Sequence, residues 1–64
     1  MSTNIRLRTA RVAQGLTQLQ LAEKIGMKEI EISRYETGRA RPDPDTKRRI
    51  ADVLQKPTFE LFDC

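Results

Sequence analysis

The sequence predicts an all-α fold, a compact five-helix bundle that forms a single domain over residues 1–64. A chain of this length has room for one small core, so one domain is expected. Apolar residues recur at helical spacing, and no segment of useful length alternates apolar and polar residues as a strand would. The helix-breaking residues that separate these segments are Gly15, Gly26, Gly38, Pro42, Pro44 and Pro57.

The first helix is expected to run from about Thr3 to Ala13, because Gly15 follows as a stop signal. Its inner face is formed by Leu7, Ala10 and Arg11. The second helix is expected to begin at Thr17 with a capping box, in which Thr17 and Gln20 each satisfy the other's backbone N–H. The buried stripe of the second helix is Leu21, Ala22 and Ile25.

The third helix is expected from about Lys28 or Glu29 to Thr37, with Gly38 after it. Its inner residues are Ile32, Tyr35 and Glu36.

The fourth helix is expected to start at the cap Asp43, because Pro44 suits the first helical position. It reaches about Leu54, with Ile50, Ala51 and Leu54 facing inward. Pro57 then breaks the chain, and 58–62 is predicted as a short closing helix.

The second and third helices have the spacing of a helix-turn-helix unit. Ala22 is small enough to let two helix backbones approach, and Gly26 can adopt the positive φ of a sharp turn. Met27 and Ile32 are expected to hold the third helix against the second. The second helix of such a unit can enter the major groove of DNA.

Composition excludes several classes of function. The chain contains no histidine, and Cys64 is its one cysteine, so no disulfide, metal site or cofactor is expected. The usual nucleophile–base pairs of enzymes are also missing, which predicts a protein without enzymatic activity. No apolar run spans a membrane or forms a signal peptide, so a cytoplasmic protein is expected.

A net charge of +3 and clustered arginines favour a polyanionic partner such as double-stranded DNA. The outer face of the third helix supports this prediction, because Ile30 lies about 200° from Ile32 at 100° per residue. If Ile32 is buried, Ile30 points away from the core. The same outer face carries Ile30, Ser33 and Arg34, and Glu29 and Glu31 flank it. Ile30 suits a thymine methyl group, Arg34 a guanine or a phosphate, and Glu29 a cytosine amino group.

Several motifs fall in one register: Gly15-Leu16-Thr17-Gln18, Leu21-Ala22, Gly26-Met27, Ile32-Ser33, Glu36-x-Gly38 and Pro42. Together they resemble the phage-repressor and Cro-type helix-turn-helix family, also called the XRE family. The resemblance extends from about Leu7 to Phe62. It implies a lambda-repressor-like DNA-binding domain, and a transcriptional repressor or autoregulator that binds a palindromic operator as a homodimer. No small-molecule ligand domain is expected.

The resemblance also implies roles for individual residues. The positions of Glu29, Ile30 and Arg34 read bases in the family, and an ion pair between Arg11 and Glu36 ties the first helix to the third. Gln18 is expected to bind a phosphate and to brace the third helix. The full set of expected phosphate contacts is Thr17, Gln18, Thr37, Arg39 and Arg41.

The sequence departs from the family pattern at several positions, and two of these departures lead to further expectations. Lys28 stands where relatives place a capping Ser or Thr, so the start of the third helix is expected to fray or shift. Gln55 and Lys56 replace a usual glycine and a usual apolar residue. Phe59 replaces a usual polar residue; it either covers the core together with its neighbours Leu61 and Phe62, or lies in a twofold dimer contact.

Glu29 and Glu31 leave an alternative open, because carboxylates are repelled by phosphates. On this alternative the same scaffold serves as a protein-interaction module, such as an antitoxin subunit or an adaptor. The operator sequence, the regulated gene and the direction of regulation do not follow from the sequence.

Overall fold

Five helices joined by short loops make up residues 3–62, which are the residues that the computed structural model describes. They are α1 (Ile5–Ala13), α2 (Gln18–Ile25), α3 (Glu29–Thr37), α4 (Pro44–Leu54) and α5 (Thr58–Phe62). No strand occurs within residues 3–62. The predicted all-α class and the number and order of the helices are therefore confirmed. Cys64 lies outside the described residues.

A single cluster of apolar side chains joins the five helices. The α2 helix packs on α3 and α4, while α1 and α4 both contact α5. The fully buried large side chains are Leu7, Leu21, Ile32, Ile50, Leu54 and Leu61. The predicted inner faces of α1, α2 and α4 are all buried, whereas Tyr35 on α3 is only half-buried. Of the three apolar residues of α5, Leu61 is buried, Phe62 is half-buried and Phe59 is 61% exposed.

The α1 helix begins two residues later than the expected Thr3, because Asn4 caps it. The Asn4 side-chain oxygen accepts a hydrogen bond from the Leu7 backbone N–H at 3.0 Å. Its Nδ2 atom donates to the Leu61 carbonyl at 2.8 Å, and its backbone N–H donates to the Glu36 carbonyl at 2.7 Å. One residue therefore fixes the start of α1 and ties it to α3 and α5.

The starts of the other helices follow the predicted chemistry with one exception. The capping box of Thr17 and Gln20 is formed, with bonds of 2.9 and 3.0 Å. The Asp43 carboxylate accepts from the Thr46 backbone N–H at 2.8 Å, and this bond is the main reason why the pKa of Asp43 is lowered. Lys28 gives α3 no side-chain cap, as its side chain predicts. The helix nevertheless begins at Glu29, which lies within the predicted range of start positions.

The ends of α1, α2, α3 and α4 share one geometry. A residue with positive φ follows each helix, directly after α2, α3 and α4 and one position later after α1. The N–H of the residue after it bonds to the carbonyl five residues before. These bonds join Leu16 to Arg11, Met27 to Ala22, Arg39 to Arg34, and Lys56 to Ala51. Glycine occupies the positive-φ position in three cases, but Gln55, with φ of 57°, occupies it after α4. A side chain at this φ is strained, because its Cβ crowds the backbone.

We expect Gln55→Gly to raise the free energy of unfolding by roughly 0.5–1 kcal/mol, because glycine removes this strain. The measurement is urea denaturation followed by circular dichroism at 222 nm. Gln14→Gly is the matched control, because Gln14 follows α1 with a φ of −86° that any residue adopts. That variant should lose at least roughly 0.5–1 kcal/mol, because it carries the entropic cost of glycine and also removes the long 3.4 Å hydrogen bond from Gln14 Nε2 to the Leu54 carbonyl. A loss of stability in both variants would contradict the assignment of strain to Gln55.

Candidate nucleic-acid interface

The chain turns sharply between α2 and α3 at Gly26, whose φ is 74°. The turn is closed by a 2.8 Å hydrogen bond from the Met27 N–H to the Ala22 carbonyl. Ala22 is fully buried, which allows the two helices to lie close together, and Met27 packs against the core. This is the geometry of a helix-turn-helix unit, in which α3 is the second helix.

The inner side of α3 is anchored by Ile32 and Glu36, which are 0% and 3% exposed. The Glu36 carboxylate accepts hydrogen bonds from Arg11 Nε at 2.5 Å and from Arg11 Nη2 at 3.3 Å. It also accepts from Gln18 Nε2 at 3.2 Å. One carboxylate on α3 therefore binds α1 and the start of α2 at the same time.

Arg11 has a second partner, since its Nη1 atom donates to the Leu16 carbonyl at 2.5 Å. Within residues 3–62, every buried side-chain nitrogen and oxygen has a hydrogen-bond partner. The charged pair is thus fully satisfied, which is the condition for burying charge at acceptable cost. If α3 took another orientation, Arg11 and Glu36 would separate and each would be buried without a counter-charge. The pair therefore favours one orientation of α3.

The outer side of α3 faces solvent. Ile30 is 53% exposed although it is a large apolar residue, and Arg34 and Glu29 are exposed as well. Ser33 is half-buried. The structure therefore brings the four predicted base-reading residues onto α3, with three of them well exposed, while their contact with bases stays a prediction.

Two of the predicted phosphate contacts lie at the start of α2. Thr17 Oγ1 accepts a bond from the Gln20 N–H, so its hydroxyl proton remains available as a donor. Gln18 uses one amide N–H for Glu36 and has a second N–H to offer. The N-terminal end of a helix also favours anions.

The other three predicted phosphate contacts differ in whether their donor groups are free to bind a phosphate. Arg39 and Arg41 are exposed, while the residues that alternate with them, Ala40 and Pro42, are half-buried and buried. This alternation turns both guanidinium groups outward from one short loop. The Thr37 hydroxyl, in contrast, donates to the Ser33 carbonyl at 2.9 Å, so it must rotate before it can bind a phosphate.

Tyr35 lies on the flank of α3 and is half-buried. Its pKa is raised above 10.0, mainly by burial and further by the nearby carboxylates of Glu31 and Asp43. The phenol is therefore a neutral hydrogen-bond donor at physiological pH, and it adds no negative charge to the surface around α3.

The described residues hold no cluster of three His, Cys, Asp or Glu side chains that would suit a metal ion. No helix within residues 3–62 is long and apolar enough to cross a membrane.

Sequence reasoning missed two groups that position α3. Asn4 was not singled out, although Asn ahead of an apolar-periodic segment is a strong N-cap signal. The Leu16 carbonyl, which holds Arg11, carries no sequence signal because every residue has a carbonyl.

Replacing Glu36 by alanine should lower the free energy of unfolding by about 3–5 kcal/mol, because Arg11 would stay buried without its counter-charge. Urea denaturation measures this loss. Replacing both partners, as Arg11→Met with Glu36→Leu, should cost less than Glu36→Ala alone. Glu60→Ala, at an exposed position, is the control and should change stability by about 0.5 kcal/mol or less. An equal loss in the single and the double variant would contradict the role given to the buried charge.

Comparison with known protein families agrees with the geometry. A family model described as helix-turn-helix matches residues 7–61, which run from the first buried residue of α1 to the buried leucine of α5. No curated protein and no solved structure gives a significant match to the chain. Because the family match covers most of the sequence, the chain belongs to the helix-turn-helix family of the phage-repressor and Cro type, the XRE family.

Proposed function

We propose that this DNA-binding regulator of the XRE type is a sequence-specific repressor or autoregulator that inserts α3 into the major groove of an operator. The observation that carries the proposal is the exposure of Ile30 and Arg34 on a helix whose opposite side is held by Glu36. An α-helix with its side chains is about 10–12 Å wide, and the major groove is about 12 Å wide. A rigidly anchored helix can therefore present these side chains to base edges.

Each base-reading residue has a partner that suits its chemistry. Arg34 can donate two hydrogen bonds to a guanine, and Ile30 lies one helical turn away, where it can meet a thymine methyl group. Glu29 can accept from a cytosine amino group, and Ser33 can bond to either kind of base edge. A carboxylate without a cytosine partner would be repelled by the phosphates, so Glu29 would also penalise wrong sequences.

The phosphate contacts would come from both sides of α3. Thr17 and Gln18 lie at the start of α2, while Arg39 and Arg41 extend from the loop after α3. Thr37 would join them once its hydroxyl turns away from its own helix. Such contacts set the position of α3 in the groove without reading the sequence.

Selection of bound sequences from a random DNA pool tests the proposal directly. Arg34→Ala should relax the preference at one base position and cost about 1–3 kcal/mol on the preferred site. The same selection, followed by titration of the best site with each protein, measures both effects. An equal loss on every sequence would show that Arg34 contacts phosphate and does not read a base.

Arg39→Ala is the companion variant. It should weaken binding to all sequences alike and lower the slope of log K against log salt by about 0.9, because one phosphate contact is lost. Fluorescence anisotropy over a series of salt concentrations measures this slope. Arg48→Ala, an exposed arginine on α4, should leave both the affinity and the slope nearly unchanged.

We further propose that the regulator binds a palindromic operator as a homodimer with Phe59 in the twofold contact. The support is that Phe59 stays 61% exposed while Leu61 and Phe62 cover the core. The two half-sites would then lie about one helical turn, roughly 34 Å, apart.

Phe59→Ser should weaken binding to the full palindrome by about 10-fold or more, and leave the affinity for a single half-site unchanged. Titration of both DNA fragments by mobility shift separates the two affinities. Val12→Ser is the matched control, because Val12 is 59% exposed on α1 and is not assigned to the dimer contact. Unchanged binding of Phe59→Ser to the palindrome would rule out this contact.

The second candidate function is a protein-interaction module on the same scaffold. The observation that favours it is the pair of carboxylates, Glu29 and Glu31, in the first turn of α3. Mobility shift against genomic fragments at modest salt distinguishes the two functions. Binding no tighter than about 10⁻⁵ M to every fragment would favour the interaction module, because this affinity is typical of nonspecific binding.

A further inference from the structure

A groove of about 550 Å³ opens between α1 and α5, and none of the residues that line it is among the proposed DNA contacts. Its floor includes Ala10 and Leu61, which are buried. Ile5 and Ala13 extend the apolar lining along α1. We call this surface the α1–α5 groove.

The groove continues into an apolar stripe on the outer side of α1. At 100° per residue, Thr9 lies about 40° from Ile5, and Val12 lies about 20° from it on the other side. Leu7, which points into the core, lies about 200° away. Ile5 and Val12 are 60% and 59% exposed, so two large apolar side chains meet solvent on one helix face.

Cationic side chains border this surface. Arg6 and Arg8 lie about 100° and 60° from Ile5 on opposite sides of the stripe. Lys56 and Glu60 also line the groove. Three cations and one anion therefore surround an apolar centre, and the surface is complementary to an apolar partner with acidic edges.

We propose that the α1–α5 groove docks an amphipathic helix of a partner protein, with an apolar stripe in the groove and Asp or Glu residues beside it. The distance along α1 from Ile5 to Val12 is about 10 Å, which matches the span of apolar anchors at positions i and i+7 of a bound helix. The carboxylates of the partner would face Arg6, Arg8 and Lys56.

Two other occupants fit the surface less well. A second copy would bring two surfaces of the same net positive charge against each other across a twofold axis, and this charge repels. A lipid bilayer would meet Ile5 and Val12, but a broad membrane surface does not fill a concave groove. Both remain outcomes that the experiment must distinguish.

The experiment is selection of helical peptides from a phage-displayed library on the native chain, with counter-selection on the double variant Ile5→Ser/Val12→Ser. Both side chains are exposed, so the double variant should keep its helical circular dichroism. The enriched peptides should carry apolar residues at i, i+3, i+4 and i+7 with acidic residues between them.

A synthetic peptide of this kind should bind the double variant and Arg6→Glu at least about 10-fold more weakly than it binds the native chain, as measured by fluorescence anisotropy. Its amide NMR shifts should map to α1 and α5.

Leu19→Ser and Arg48→Glu are the matched controls, because they remove an exposed apolar residue and reverse an exposed charge on α2 and α4. Both should bind the peptide as the native chain does. The proposal is overturned if no peptide is enriched, or if enriched peptides lack acidic residues or bind the double variant equally well. Binding of the native chain, but not of the double variant, to phosphatidylglycerol vesicles would assign the surface to a membrane. A change in oligomeric state of the double variant in sedimentation would assign it to a second copy.

Discussion

The Glu36 carboxylate holds α3 in place by accepting hydrogen bonds from Arg11 and Gln18, which belong to two other helices. A helix of nine residues is too short to be stable in water by itself, so its existence and its direction both depend on such contacts. Asn4 adds a bond to the Glu36 carbonyl and another to α5. The arrangement makes α1 part of the recognition unit, although α1 supplies none of the proposed base contacts.

Apart from this charged centre, the fold depends on a small apolar core and on the chemistry of the helix ends. A core of six large aliphatic side chains is modest, and the helix ends supply much of the remaining order. Capping by Thr17 and Asp43 satisfies backbone donors at two starts, and positive-φ residues close four ends. Two positions lack the residue that favours their backbone geometry. Lys28 stands where a capping side chain would bond to α3, and Gln55 stands where glycine would adopt positive φ without strain, yet the backbone keeps the same geometry at both.

Much of the fold follows from local chemistry that the sequence displays. Helical periodicity, the capping box of Thr17 and the glycine at position 26 each depend on residues within about one helical turn. The bonds of Asn4 do not, because Asn4 and Leu61 are 57 positions apart and their contact depends on the packing of the whole bundle. The exposed face of α3 follows from helical geometry if Ile32 is buried. The groove between α1 and α5 was not, because it arises where two helices fail to fill the space between them.

The inner and outer faces of α3 consist of different residues with different surroundings. Ile32 and Glu36 carry the contacts with the bundle, whereas Ile30 and Arg34 are exposed to solvent. Substitutions at the exposed positions should therefore change stability by about 0.5 kcal/mol or less. If Ile30 and Arg34 read bases as proposed, a lineage of such proteins can acquire new binding preferences one residue at a time, without passing through unstable ancestors.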